Sequence, residues 1–119
     1  MLLPLALLIC PMQGPPQPSV AGQWHVSYYE SGGTTIHCNV CPAFTFNRDS
    51  TGSIVAGDGS PAAFTWKQQG ATVWIYATQQ SEQAGLPSGT YQLGRRSIAP
   101  GLQTLVLARA DKYRVVLSR

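Results

Sequence analysis

From residue 22 onward the chain is a succession of short segments in which large apolar and polar residues alternate. This two-residue period is typical of strands with one buried face, because successive side chains of a strand point to opposite faces. Gly, Asp, Asn and Ser separate the segments, and no segment keeps a helical period over ten or more residues. We therefore expect eight strands over residues 23–30, 43–47, 53–56, 62–68, 72–78, 90–94, 103–109 and 112–118.

Short turns between these segments favour an antiparallel meander. Residues 48–52, 57–59, 69–70 and 110–111 carry the turn chemistry of hairpins. Closing such a meander into a barrel removes both exposed edges, which a small sheet rich in β-branched and aromatic residues must otherwise protect. We predict an all-β fold, an eight-stranded antiparallel up-and-down barrel, with a small β-sandwich as the alternative.

The alternation also predicts which side chains face the barrel interior. An eight-stranded barrel is just wide enough to be filled by its own side chains or to hold one small ligand. Since most of the predicted inner residues are large, we expect a packed interior and a shallow pocket near one mouth, lined by Tyr28, Trp66 and Tyr91, with Trp24 as a further ligand-binding residue. The predicted inner residues are Trp24, Val26, Tyr28, Phe44, Phe46, Ile54, Phe64, Trp66, Val73, Ile75, Tyr91, Leu93, Leu105, Leu107, Val115 and Leu117.

The chain before residue 22 has a different composition. Residues 1–9 (MLLPLALLI) form an apolar run that is too short to span a bilayer but suits a secretory segment, and residues 11–18 are Pro-rich, as in an extended tether. Two processing events compete: acylation of Cys10 after a lipobox-like sequence, or cleavage after Ala21. An unprocessed tail is the third interpretation. We predict a signal or lipoprotein-type segment with its tether over residues 1–21 and one domain over residues 22–119.

Of the three cysteines, Cys38 and Cys41 remain paired once Cys10 is acylated or removed. In an oxidising compartment such a pair closes a small loop, and we favour this disulfide. A zinc site that also uses His37 and His25, and a redox-active thiol pair, stay open as alternatives.

Three short sequences resemble one known family. Gly22-Gln23-Trp24 resembles the Gly-x-Trp of lipocalins and of short bacterial lipocalin-like domains, and residues 44–47 and 64–67 resemble the central hairpins of those short domains. The resemblance implies a compact calycin-type barrel in which a basic residue of a late strand packs across Trp24. Arg109 or Arg114 would have this role, as a cation over an aromatic face. Avidin-like barrels share the length and the opening pattern and remain an alternative.

Charge and motif content exclude several function classes. The basic residues are scattered apart from Arg95-Arg96, whereas a nucleic-acid surface requires clustering. The five acidic residues fall at strand ends, turns and loops, and neither a hydrolase elbow nor a phosphate-binding Gly loop occurs. Charged residues make up only 11% of the chain, which suits an extracytoplasmic β-protein. We expect no catalysis, no cofactor and no metal.

The expected function is therefore non-catalytic binding of a small apolar ligand by a secreted, periplasmic or lipid-anchored barrel, with membrane contact only through a lipidated N-terminus. The alternative is a protein-interaction or inhibitor module of the cell envelope that uses loops 31–41 and 79–88. A metal- or thiol-dependent enzyme at Cys38 and Cys41 is the third hypothesis. The sequence specifies neither the ligand nor the oligomeric state.

Overall fold

A computed structural model of the chain describes residues 19–57, 59–95 and 103–119. The predicted N-terminal segment, including Cys10, lies outside these residues except for positions 19–21, so its processing stays a prediction. The elements are β1 (Gly22–Ser31), β2 (Thr34–Ile36), β3 (Ala43–Phe46), β4 (Thr51–Val55), β5 (Pro61–Gln69), β6 (Thr72–Ala77), α1 (Gln79–Gln83), β7 (Gly89–Arg95), β8 (Thr104–Arg109) and β9 (Tyr113–Ser118).

The strands form one antiparallel sheet that closes on itself. The order of neighbours is β2-β1-β3-β4-β5-β6-β7-β8-β9, and β1 also pairs with β9. In this closing ladder Val26 lies opposite Leu117, and Tyr29 lies opposite Val115. Since β2 pairs only with the end of β1, the barrel wall consists of β1 and β3 to β9. The predicted eight-stranded up-and-down barrel is confirmed, and the chain is not a sandwich.

Two predicted loops contain regular structure. The loop predicted over residues 31–41 includes β2, which continues the hairpin of β1 beyond the barrel wall. The loop predicted over residues 79–88 includes α1, whose N-cap Thr78 accepts a hydrogen bond from the Ser81 amide on its side-chain oxygen. Threonine is favoured at this position because its hydroxyl satisfies a backbone donor that the first helical turn leaves unpaired. Within the described residues, no helix has the length and apolar character that crossing a bilayer requires.

The connections alternate between the two ends of the barrel. The terminal end carries the start of β1, the end of β9 and the turns that join β3 to β4 and β5 to β6. The helix end carries residues 32–42, the β4–β5 turn, the β6–β7 connection with α1, and the β8–β9 turn. These two names are used below because the two ends differ in chemistry.

Side chains fill the barrel interior. Every predicted inner residue except Tyr28 belongs to the core or packs against it. The Phe46 ring lies edge-on against the rings of Phe64 and Trp66, with centroid distances of 5.2 and 5.4 Å. These rings pack the part of the interior nearest the terminal end, and an eight-stranded barrel is narrow enough for its own side chains to fill.

Tyr28 does not face the interior as predicted. The register between β1 and β9 shifts at Ser27, so that Val26 opposes Leu117 but Tyr28 opposes Val116. Leu117 belongs to the core cluster, whereas Val116 does not. The β-bulge at Ser27 therefore reverses the phase of β1, because one extra residue moves all later side chains to the opposite face. Tyr28 lies on the outer face, and Tyr29 takes the inner position.

Trp24 closes the terminal end. Its indole Nε1 donates to the carbonyl of the buried Val20 at 2.8 Å. The guanidinium carbon of Arg119 lies 3.9 Å from the centroid of the Trp24 ring. The prediction of Arg109 or Arg114 for this contact is wrong, because both residues lie toward the helix end of their strands, whereas Arg119 follows the terminal end of β9.

Candidate functional site at the helix end

The residues predicted to line one ligand pocket do not meet. Trp66 donates from Nε1 to the carbonyls of Asn47 and Thr51, at 3.1 and 2.9 Å, beside the β3–β4 turn of the terminal end. The hydroxyl of the buried Tyr91 donates to the Pro87 carbonyl at 2.6 Å, in the β6–β7 connection of the helix end. Tyr28 is on the outer face, and Trp24 closes the terminal end. The shared pocket that we predicted from these residues is therefore not formed.

A cavity of about 390 Å³ lies instead at the helix end, between the disulfide loop, the β4–β5 turn and the residues that follow α1. Its lining is neutral, because none of the described lining residues is Asp, Glu, Lys, Arg or His. Aromatic, aliphatic and small side chains make up most of it. The lining residues are Tyr29, Ile36, Cys38, Pro42, Ala56, Gly57, Gln83, Ala84, Gly85 and Tyr113.

Two tyrosines form the part of the cavity wall that belongs to the barrel. The rings of Tyr29 and Tyr113 are stacked, with an interplanar angle of 27° and centroids 6.2 Å apart. The Tyr113 hydroxyl donates to the Gly85 carbonyl at 2.7 Å and so holds the chain after α1 against the barrel. Gly85 has φ +104°, and a Cβ atom built there would lie 2.5 Å from the Tyr29 hydroxyl oxygen. A glycine is therefore required both by its backbone conformation and by its close approach to Tyr29.

Both tyrosines stay uncharged near neutral pH. Burial raises the pKa of Tyr29 well above its ordinary value, and the neighbouring Tyr113 raises it further. Burial also raises the pKa of Tyr113, to about 12, although the positive charge of Arg109 partly opposes this shift. The phenol form persists because a buried phenolate would lose its hydration.

Arg109 stabilises the cavity wall from outside the lining. Its Nε and Nη2 atoms donate to the two carboxylate oxygens of Asp111 at 3.0 and 2.6 Å, and its Nη1 donates to the Ser88 carbonyl at 3.0 Å. The hydrogen bonds from Arg109 hold the pKa of the Asp111 carboxyl below its usual range. The same guanidinium lies 5.3 Å from the Tyr113 ring centroid. One side chain therefore joins the β8–β9 turn, the β6–β7 connection and the tyrosine pair.

The Cys38–Cys41 disulfide is present, and its Cα atoms are 5.1 Å apart. Cys38 lines the cavity, so the cross-link stiffens part of the cavity wall. Because the two sulfurs are bonded to each other, neither is a thiolate ligand for zinc here. The described residues contain no group of three or more His, Cys, Asp or Glu side chains placed to hold a metal ion. The exposed His25, on the outer side of β1, lies apart from the cavity lining.

The terminal end has a more polar cleft of about 490 Å³. Arg48 and Lys67 supply its charges, and Trp66 contributes its edge, although this ring is only 8% exposed. Both sites lie open beside exposed turns, but the wall of the cavity at the helix end includes two half-buried aromatic rings and a cross-linked loop. The helix-end cavity is therefore the better candidate for a small-molecule site.

Sequence reasoning missed Tyr29, Tyr113 and Gly85 as residues of the cavity. Either Tyr28 or Tyr29 could face the interior, depending on the phase of the alternation along β1. Only the bulge that lies between Trp24 and this pair places Tyr29 inside. The signal for Tyr113 was its position at the start of the last predicted strand, next to the turn at Asp111. No signal pointed to Gly85, since its place depends on how α1 docks on the barrel.

Comparison with known proteins supports the fold and nothing beyond it. No protein-family model matches the chain, and no curated protein sequence matches it significantly. The fold is similar to the crystal structure of a lipocalin-like protein from Bacteroides uniformis, with a TM-score of 0.60 and 18% sequence identity over 84% of this chain and 97% of that chain. This chain therefore has a lipocalin-like fold, as its Gly22-Gln23-Trp24 opening indicated.

Proposed function

We propose that this protein is an extracytoplasmic barrel that binds a small, mostly apolar molecule in the helix-end cavity, without catalysing a reaction on it. The observation that carries the proposal is the neutral cavity of about 390 Å³ beside the stacked Tyr29 and Tyr113 rings. Ligand sites of roughly 300–1,000 Å³ that are lined mainly by apolar and aromatic groups suit small molecules. Because the barrel interior is filled, the ligand would sit at the mouth.

Two further features support the proposal. The described lining residues include neither two carboxylates nor a nucleophile beside a general base, which are the groups that acid–base or covalent catalysis uses. The disulfide agrees with an oxidising compartment outside the cytoplasm. A lipocalin-like fold also suits the presentation of a small-molecule site, although a fold by itself does not assign a function.

A neutral fluorescent probe, N-phenyl-1-naphthylamine, tests the site. We expect its fluorescence to rise on binding, and amide resonances of residues 83–85 to shift in an ¹⁵N correlation spectrum. Ala56→Phe places a ring in the cavity and should weaken probe binding by about tenfold or more, equivalent to about 1.4 kcal/mol. The matched control is Ala63→Phe, on the exposed outer face of β5, which should bind like the parent protein. A parent protein that binds neither this probe nor any member of an apolar panel would overturn the proposal.

The second candidate function is a protein-interaction or inhibitor module of the cell envelope. The observation that favours it is exposed apolar surface at the helix end, where Val40, Ile36 and Val55 are 67%, 46% and 46% exposed. Val40 lies inside the cross-linked loop 38–41, so it is presented on a stiffened segment. Val40→Asp should abolish capture of a specific envelope protein while leaving probe binding unchanged. Capture that does not depend on Val40 would count against this candidate.

Location is tested by the mature N-terminus. The intact mass distinguishes an acylated Cys10 from a chain that begins at Gly22, and either result supports export. Thiol titration of protein purified without reductant should find no free thiol at Cys38 and Cys41. An unmodified N-terminus at Met1 together with two reactive thiols would contradict the extracytoplasmic proposal.

A further inference from the structure

We infer that the helix-end cavity selects uncharged ligands that carry a hydrogen-bond acceptor, which the Tyr29 hydroxyl binds. This inference rests on the proposed function, because it specifies the chemical class of ligand for the same site. Cavity volume alone does not distinguish molecules of equal size and different charge, whereas this inference predicts which of them bind.

The charge of the lining favours an uncharged ligand. All the described lining residues are neutral, and their polar side-chain groups are the Tyr29 and Tyr113 hydroxyls and the Gln83 amide. A carboxylate or ammonium group that packs against these residues loses part of its hydration without gaining an opposite charge. Burial of an unpaired charge is far more costly than burial of a neutral polar group.

The charged side chains of the described residues around the cavity lie outside its lining. Arg109 and Asp111 form a two-pronged ion pair. Arg114 lies 3.7 Å from the Glu30 carboxylate, and both residues follow the outer-face register of Tyr28. His37 precedes Cys38 but lies beside Tyr28, with ring centroids 6.1 Å apart, and is not part of the lining. Among the described residues, none of these charges faces the cavity to compensate a charged ligand.

The two tyrosine hydroxyls differ in their hydrogen bonds. The Tyr113 hydroxyl is used by the Gly85 carbonyl. In the described part of the chain, the Tyr29 hydroxyl forms no hydrogen bond, although Tyr29 lines the same cavity and its hydroxyl lies beside Gly85, another lining residue. Since burial keeps Tyr29 in its protonated form, its hydroxyl remains a donor. A carbonyl, ether or amide oxygen on an apolar molecule would satisfy this donor.

Three molecules that share one ring system test the inference: 2-acetylnaphthalene, 2-ethylnaphthalene and 2-naphthoate, titrated at pH 7.5 and followed by ¹⁵N chemical shifts. The ketone should bind about tenfold or more tightly than the carboxylate, and a few-fold more tightly than the hydrocarbon, since one neutral hydrogen bond has a modest net effect. Tyr29→Phe should remove the advantage of the ketone over the hydrocarbon.

A gain-of-function variant tests charge selection directly. Gln83→Lys places a cation at the cavity, and we expect it to raise the affinity for 2-naphthoate by about two- to fivefold, as is usual for an ion pair at an exposed position. Gln80→Lys adds the same charge at an exposed position of α1 outside the lining and should leave that affinity unchanged. Because Gln83 is itself exposed, the substitution leaves the core intact.

The outcomes separate this inference from the proposed function. Binding of 2-naphthoate as tight as that of the ketone would overturn charge selection while leaving the cavity as a ligand site. Equal binding of the ketone and the hydrocarbon would overturn the role of Tyr29, and so would binding of the neutral probe without binding of the ketone. Failure of the probe and of all three molecules to bind would overturn the proposed function itself.

Discussion

Gly52 lies on the inner face of β4, opposite Phe64 of β5. A Cβ atom built at Gly52 would overlap the Phe64 ring. We expect Gly52→Ala to lower the free energy of unfolding by about 1–3 kcal/mol, because an extra methyl group in a filled core displaces its neighbours. Urea denaturation followed by far-UV circular dichroism measures this change.

The matched control for Gly52 is Gly94 of β7. A Cβ atom at Gly94 would meet its nearest neighbour at 3.9 Å, and its backbone does not have a positive φ. Gly94→Ala should therefore change stability by less than about 0.5 kcal/mol or increase it slightly, since alanine reduces the entropy of the unfolded chain. Equal destabilisation by the two substitutions would show that contact with Phe64 is not the cause.

Ionisation of Tyr113 should lower the stability of the fold at alkaline pH. Its pKa is about 12 in the folded protein, above the ordinary 10.0 of an exposed tyrosine. The stability that Tyr113 contributes through this shift is fully present below about pH 10 and is lost as the pH rises toward 12, because the unfolded chain releases the proton first. The urea midpoint should fall between pH 10 and 12 and fall less steeply in Tyr113→Phe. An equally steep fall in that variant would contradict this account.

At the scale of elements, the disulfide loop makes a measurable contribution to the cavity. Cys38 lines the cavity, yet the cross-link joins residues only three apart in sequence. The short loop limits the stability lost in the Cys38→Ser/Cys41→Ser double variant to about 2 kcal/mol or less. Affinity for N-phenyl-1-naphthylamine should fall several-fold, and reducing the parent protein should have the same effect. Unchanged affinity in both cases would show that the loop does not shape the site.

The elements also show where sequence patterns suffice. Residues 44–46 and 64–67 alternate between aromatic and polar side chains, so the inner positions of Phe44, Phe46, Phe64 and Trp66 could be predicted from the period alone. Tyr28 was placed wrongly because the alternation starting at Trp24 was continued through Ser27, where the bulge reverses it. A bulge depends on pairing with β9, which is distant in sequence, so the local pattern carries no clear sign of it.

The short elements of the helix end were missed for a related reason. β2 has three residues, all exposed, and α1 has five, so neither is long enough to display a period. The structure shows that Thr78 is the N-cap of α1. In the sequence this threonine could not be recognised as a cap, because threonine is equally common in loops and strands. Ile36 and Gln83 of the candidate site lie in these elements, and most of the other lining residues lie in the connections beside strands. The fold was therefore easier to predict from the sequence than the cavity.

For the whole molecule, closure of the barrel determines which part opens first. The β1–β9 ladder joins the two ends of the sheet, whereas β2 pairs only with β1 and lies outside the wall. Amides of Val115 and Leu117 should exchange with solvent only through global unfolding, and those of β2 through local opening. Hydrogen exchange monitored by NMR at increasing urea concentrations tests this. Exchange at Val115 that is as fast as exchange in β2 would contradict closure as the stabilising feature.

The packed barrel interior has a consequence for protein engineering. Because core side chains of the strands, such as Ile54, Tyr91 and Val115, fill the barrel beneath the helix end, the connections at this mouth rest mostly on a floor that the strands supply. Such a floor can carry grafted loops of different length and chemistry in the way that an immunoglobulin framework carries its hypervariable loops. Directed evolution confined to exposed positions of these connections, such as residues 34–37, 39–40, 79–80 and 82–83, should therefore yield new binding specificities while melting temperatures stay nearly constant.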